Sequence, residues 1–480
     1  MNKTITLLLL FSVSMLFSQS NYYVGIDGDN SNEGSKKRPW KTVQFGIDQL
    51  FPGDTLNIYV GVYNEKLTVN RSGSKDNRIV IRGEKNAVID ATGIDNSQNA
   101  ILKIENQSFI TVTNLELANN IHNYAQGIFI NGASTDITIS HCNIHDIHFS
   151  NNPKKKANPE RNAQGIIVHG SNSEISITNL LIESNELYDC RLGYSEGIAV
   201  SGNVDGFVVK NNKVHDLTNI GIDIVGHEKV CNEPLKDQAR NGVISNNVVY
   251  NCVSPYANSA GIYVDGGQNL EISNNTTFGN GYGIEIGCEN KDKSADSITV
   301  RNNVIYKNEI AGISVGGFNY PESGKVTKSS FYNNTLFHNT MSSKSIAEVY
   351  ISYNEGLDFE NNIIYSDKSG KTIFGNLSST NVVIDYNLYY SASKNIFFDW
   401  NTKWCVDLLS FQEETGLDKF SNYQNPNFLN GDEFDFHLKD TSPAINRGNS
   451  EHVILKEEKD IDGQLRIIDA IIDIGADEYN

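Results

Sequence analysis

Ile244-Ser-Asn-Asn-Val-Val-Tyr250, Ile272-Ser-Asn-Asn-Thr-Thr-Phe278 and Val300-Arg-Asn-Asn-Val-Ile-Tyr306 are three copies of one unit. Each reads apolar, any residue, two asparagines, any residue, apolar, aromatic. The unit returns at 331–337 and 359–365, with looser copies around Asn185, Asn212 and Asn387. The second asparagine recurs at 185, 212, 247, 275, 303, 334, 362 and 387, in steps of 25 to 35 residues that cluster at 28. A second unit, Gly-Ile-x-apolar-x-Gly, is interleaved at 127–132, 165–170, 197–202, 221–226, 261–266 and 312–317. At 283–288 Cys288 takes the place of the last glycine.

Both units are short, bounded by Gly and Asn, and carry the strand period of two. No amphipathic helix of length fits between them, so a βαβ fold is excluded. Short strands repeating every turn of about 28 residues describe a coil in which each turn adds strands to parallel sheets. The expected fold is all-β, a right-handed parallel β-helix, with a short N-terminal capping helix over 42–50 and a C-terminal cap. Asparagine tolerates the left-handed conformation of a tight corner, and amides stacked at one corner can bond up the ladder. The Asn pairs are therefore read as structural. The expected organisation is a signal peptide over 1–19, the coil over 20–395 and a cap or small appended unit over 396–480, where the repeat is lost.

The leader reading rests on Lys3, the apolar run from Ile5 to Phe17, and Ser18, Gln19 and Ser20 as a cleavage point. That run is shorter than the ~20 residues a membrane span takes. A secreted protein without a membrane span is expected, acting as a monomer. With 39 Lys and Arg against 58 Asp and Glu, the net charge of −19 argues against nucleic acid as a partner. The six cysteines include no Cys-x-x-Cys pair, which argues against zinc. Cys231 and Cys252 bracket one irregular segment and are candidates for a staple.

The opening Tyr22-Tyr-Val with its following Asp-Gly, the Pro52-Gly-Asp-Thr stretch and the Asn-Asn rungs resemble the pectin-lyase-like superfamily over residues 22–395. That resemblance implies a β-helix enzyme acting on a polysaccharide, as a lyase or a glycoside hydrolase of an exported system. The paired-Asp and Gly-His-Gly pattern of polygalacturonases is absent, as is the Asp-Pro-His pattern of alginate epimerases.

Within each Gly-Ile unit, Ile and the next apolar residue share the inner face, and the two x positions share the outer one. The first x reads Phe129, Ile167, Ala199, Asp223, Tyr263, Glu285 and Ser314. The second reads Asn131, His169, Ser201, Val225, Asp265, Gly287 and Gly316. Acids thus gather on three consecutive rungs, with His227, Glu228 and Glu289 just past the strands. With strands ~4.8 Å apart and ~3.3 Å per residue, Asp223–Asp265 and Asp265–Glu285 come to about 8 Å and Asp223–Glu285 to about 10 Å. An inverting glycosidase places its two carboxyls ~6.5–9.5 Å apart, and crowding separates their proton affinities.

Asp223, Asp265 and Glu285 are the candidate catalytic residues of an endo-acting hydrolase on an anionic polysaccharide. One protonates the leaving oxygen and another activates water. Calcium held by carboxylates of adjacent rungs is a second reading, and a solvated acidic face a third. Tyr263 is a candidate to stack on a sugar or donate a proton, and His169 and His227 to bind substrate or act as base. Arg240 is a candidate to meet a sulfate or carboxylate, and Glu289 to assist binding. A uronate lyase is the alternative, with calcium or Arg240 neutralising the carboxylate and His227 or Tyr263 taking the proton. A non-catalytic carbohydrate-binding protein is the third possibility. The repeat is interrupted at 148–163, which carries Lys154, Lys155, Lys156 and Arg161, and at 228–241, 254–259 and 290–295. Insertions leave a coil as loops on its binding face, so these are read as cleft walls.

Overall fold

The computed structural model describes residues 19–94, 97–317, 319, 321–375, 378–452, 458–467 and 471–479. Residues 1–18, and with them nearly all of the expected leader, lie outside the described part. Among the described residues no helix is long and apolar enough to cross a membrane.

The chain winds as a right-handed parallel β-solenoid, the hand preferred when parallel strands of one sheet are joined by crossovers. One sheet of 13 strands takes one strand from each turn, from Asn21–Val24 to Thr380–Asp385. The other faces form a continuous 24-stranded sheet. Inward Ile, Leu and Val residues fill the coil; Ile222, Ile224, Ile262, Val264, Ile284 and Ile286 are all fully buried. At the start, a helix over Val43–Gln49 buries Val43, Gly46 and Ile47, and its first amides, Val43 and Gln44, donate to the Glu65 carboxylate. This is the expected capping helix.

The paired asparagines divide their work. The first of each pair, as at Asn246, Asn274, Asn302, Asn333 and Asn361, sits in the left-handed region, with φ between 55° and 57°. The second points inward and forms a buried ladder. Asn247 Oδ1 accepts from the Asn212 backbone and amide, both at 3.0 Å, and Asn247 Nδ2 donates to Val209 O and Asn275 Oδ1, both at 2.9 Å. The same pattern runs from Asn185 to Asn387, where Ser421 and Asp418 take it over. A second ladder, Asn280–Asn308–Asn339, ends on the buried Glu348.

Past Ser391 the solenoid gains a further parallel strand, Phe397–Trp400, paired with Lys371–Gly375, and then a hairpin strand, Lys403–Cys405. After a helix over Leu408–Thr415, the chain runs back along the asparagine corner. Asn361, Asn333, Asn302 and Asn274 donate in turn to the carbonyls of Asn449, Asp473, Lys459 and Asp460. The C-terminal segment is thus a strap, anchored by the outward amides of the same repeat whose inward amides build the ladder.

All six cysteines are buried and free. The expected Cys231–Cys252 staple does not form. Cys231 lies at the Asn172 carbonyl in the 228–241 loop, while Cys252 lies inside the coil with its sulfur on the Tyr250 carbonyl.

Candidate active site

Three stacked strands carry the acids. Lys213–Val225 pairs with Ala260–Asp265, which pairs with Tyr282–Gly287. The register sets Asp223 beside Tyr263 and Tyr263 beside Glu285, one column along the coil axis. Asp265 lies on the neighbouring column, beside Gly287. The inward Ile and Val residues of these strands hold the column straight, so its outward side chains are packed one turn apart. They are also covered: Asp223 is 4% exposed, Asp265 6%, Tyr263 7% and Tyr282 4%.

The structure brings in a carboxylate that strict alternation assigns to the interior. Glu196 precedes Gly197, and period two would turn it inward with Ile198. A Cβ on Gly197, however, would stand 2.6 Å from the core side chain of Leu217 and 2.7 Å from the Gly221 carbonyl. Gly197 and Ile198 therefore both face the core, the alternation restarts at the corner, and Glu196 falls outside. The column it joins reads Gln126, Gln164, Glu196, Ile220, Ala260 and Tyr282. Its outward character shows in Gln126 donating to Gln164 and Gln164 to Ser195. The recurring residue before each Gly-Ile is the signal that would have found Glu196.

Burial dominates the electrostatics. It raises Glu285 to about 8, assisted by the Glu289 charge, and Glu196 also to about 8. Asp223 is pushed well above the usual carboxylate range by burial, then by Glu196 and Asp265. Asp265 is pushed up by burial and by Glu289. Asp265 alone of these three catalytic candidates has a bond that favours its charged form, as its Oδ1 accepts the Glu289 backbone N–H at 2.7 Å. Asp223 Oδ1 is buried without a hydrogen-bond partner. Tyr263 is held in its phenol form by burial and by the surrounding acids, and its hydroxyl bonds to Glu289. The charges acting most strongly on Asp223, Asp265 and Glu285 are all carboxylates.

Loops wall the cluster on two sides. On one, Asn258 donates to the Tyr282 hydroxyl at 3.3 Å, Tyr194 packs on Tyr256 with ring centroids 5.0 Å apart, and the Tyr256 hydroxyl donates to the Gly193 carbonyl. On the other, Asn290 donates to Glu228 at 2.5 Å, joining the 228–241 and 290–295 loops.

The remaining candidates lie outside this cluster. His169 shares the Asp265 column three turns earlier, about 14 Å away. It packs edge-on against Phe129 at 5.4 Å, and burial lowers its basicity. His227 turns its ring over Gly266, with Nε2 at 3.3 Å from the Ser294 carbonyl. Arg240 lies on the 13-stranded sheet, where its guanidinium is taken up by Asp205, Asn203, Ser176 and the Gln238 carbonyl. Lys154, Lys155 and Lys156 are exposed. Among the described residues, the group of three metal-type ligand atoms within 4.8 Å of one another is elsewhere, at His437, Asp462 and Asp477.

The family model for the right-handed beta helix region matches residues 77–292 and 237–403, more than half of the chain. The chain belongs to the right-handed β-helix family. The superfamily expected from the Tyr-Tyr-Val opening and the Asn-Asn rungs is therefore the one observed. A relative, the uncharacterized protein YwoF of Bacillus subtilis (strain 168), is 32% identical over 441 residues, covering 88% of this chain and 91% of that one. Among solved structures, the pectate lyase Pel9A shares the fold at a TM-score of 0.50 and 16% identity, covering 96% of this chain and 97% of its own. The A-module of the Azotobacter vinelandii mannuronan C-5 epimerase AlgE4 is similar at 0.48 and 16%, over 84% and 97%. At these identities the likeness to the solved structures is one of fold.

Proposed function

We propose that this β-helix protein is a glycoside hydrolase that cuts internal linkages of a polysaccharide, with Glu285 as general acid and Asp265 as general base. The observation that carries the reading is the placement of these two residues on the outer face of adjacent turns, two positions apart along the strands. The register puts their backbones about 8 Å apart, a span from which two side chains on one face can reach the ~6.5–9.5 Å carboxyl separation of an inverting reaction. Burial raises both, and what distinguishes them is one backbone bond to Asp265. Glu285 is held to about 8 by burial and by Glu289, so it carries its proton at neutral pH. Asp265 receives a backbone N–H that favours the anion. The acid then protonates the glycosidic oxygen while the base takes a proton from the attacking water.

Asp223, with a buried oxygen lacking a partner, is suited to bind a sugar hydroxyl. Tyr263, one turn from both Asp223 and Glu285, offers an apolar face between them. The acids follow one another along the coil axis, a direction that suits an extended chain and internal cutting. Because only carboxylates act strongly on the cluster, the sugar at the cut is uncharged. Any anionic units of the polymer lie toward the exposed Lys154–Lys156 loop. Export through the 1–19 leader would deliver the enzyme to such a substrate.

Two other observations bear on the alternatives. A uronate lyase needs a base and a neutralising cation, and the held-up phenol of Tyr263 and the fully engaged Arg240 fit those roles poorly. A calcium ion could use the open oxygen of Asp223, but the acids would have to draw closer together. The test is incubation of purified protein with neutral and anionic polysaccharides, following reducing ends and unsaturated-uronate absorbance together. Reducing ends alone, abolished by Glu285→Gln, support the hydrolase. Absorbance that chelation removes overturns it in favour of a calcium-assisted lyase.

A further inference from the structure

The Asp223 column does not stop at Glu285. The register continues Glu285 to Ser314, Ser314 to Tyr350, Tyr350 to Phe374 and Phe374 to Asp399. At ~4.8 Å per turn, Tyr350 lies about 10 Å and Phe374 about 14 Å beyond Glu285 on the same outer face. There a cleft of about 460 Å³ opens, lined by Tyr350, Phe374, Phe397, Trp404, Lys371 and Asp399 among others. Its volume falls in the ~300–1,000 Å³ range of small-ligand sites. Tyr350 and Phe374 rings lie 5.6 Å apart, and Phe397 and Trp404 stack at 5.2 Å and 25°.

Trp404 is 59% exposed, although it sits in a hairpin whose next residue, Cys405, is buried. A large aromatic left in water beside an apolar cleft marks a surface that receives something. Aromatic faces accept flat apolar faces, and a pyranose ring presents such a face in its axial C–H groups. Lys371 and Asp399 at the margin supply a donor and an acceptor for hydroxyls. The spacing fits as well, because one turn of the coil, about 5 Å, is close to the advance of one sugar in an extended glycan.

We infer that the cleft formed by Tyr350, Phe374, Phe397 and Trp404 is a distal subsite that binds neutral pyranose units of the same glycan chain, two to four units beyond the cut. This inference rests on the hydrolase reading for the direction of the chain, but its binding test does not need turnover. Of the three tryptophans, Trp40 and Trp400 are buried and Trp404 is exposed, so acrylamide quenching of tryptophan emission reports on Trp404.

The experiment titrates xylo-, cello- and manno-hexasaccharides, and the matching trisaccharides, into the Glu285→Gln protein. The expected result is protection of Trp404 by at least one hexasaccharide, with the trisaccharide binding at least tenfold more weakly. Trp404→Ala should reduce hexasaccharide affinity, read by calorimetry, about tenfold. The proposal is overturned if no hexasaccharide protects Trp404, or if Trp404→Ala binds it as tightly. It is also overturned if light scattering without glycan shows a second copy of the chain covering the cleft. Wild-type cleavage with an unaltered chain-length preference in Trp404→Ala would sink the subsite and leave the hydrolase. Protection without any cleavage by the wild type would sink the hydrolase and leave the subsite.

Discussion

Replacing Asn247 by alanine should cost about 3–5 kcal/mol, whereas replacing its neighbour Asn246 by glycine should cost almost nothing. Asn247 is fully buried in the turn between Asp223 and Tyr263. Its side chain makes four bonds, at 2.9–3.0 Å, to the Asn212 backbone and amide, Val209 O and Asn275 Oδ1. Alanine leaves the Asn212 N–H buried without an acceptor, a cost of about 1–3 kcal/mol, and removes one bond from each of three further groups at about 1 kcal/mol or less apiece. Asn246 is exposed at φ 56°, a conformation glycine adopts without strain. Urea unfolding at neutral pH separates the two. Because a solenoid can lose cooperativity locally, the slope of the transition must be followed as well as its midpoint. A cost below about 1 kcal/mol for Asn247→Ala at unchanged slope would refute the ladder as a source of stability. So would an equal cost for Asn246→Gly.

Glu285→Gln and Asp265→Asn should each lower kcat by about 10²–10⁴-fold, the usual worth of a general acid or base, with circular dichroism unchanged; wild-type rates in either variant would remove that residue from the mechanism. Glu348, fully buried and raised by burial from 4.5 to about 8, stabilises the fold most below pH ~4.5, and that contribution is lost as pH rises through about 8. The loss is at most about 5 kcal/mol, so the urea midpoint should be lower at pH 9 than at pH 5. Glu348→Gln should flatten this dependence, and an unchanged slope with pH would contradict the assignment. Arg466, fully buried, donates to the carbonyls of Asp473 and Gly475 and faces Glu478. Arg466→Ala should cost about 3–5 kcal/mol by stranding that buried carboxyl, seen as faster proteolysis of the strap, and wild-type resistance would argue against it.

The acids on Asp223, Asp265 and Glu285 were legible because the Gly-Ile unit states its own register, so positions on successive copies can be stacked by counting. Glu196 was not, because the glycine corner restarts the alternation and only packing against Leu217 reveals it. Arg240 read as a site residue because it precedes the Asp265 rung in sequence. In space it belongs to a different sheet, where Asp205 and Asn203 hold it.

From sequence alone, the period of the Asn-Asn and Gly-Ile units determined the coil and the outer columns of carboxyls, because a solenoid converts sequence period directly into position along one axis. Only the tertiary structure decided what crosses between turns by routes other than that period. The C-terminal strap lies back along the asparagine corner, the loops close over the acids and raise their proton affinity, and the Trp404 hairpin completes a cleft in line with them. Each depends on non-periodic segments folding onto the coil, and non-periodic contacts leave no regular mark in the sequence.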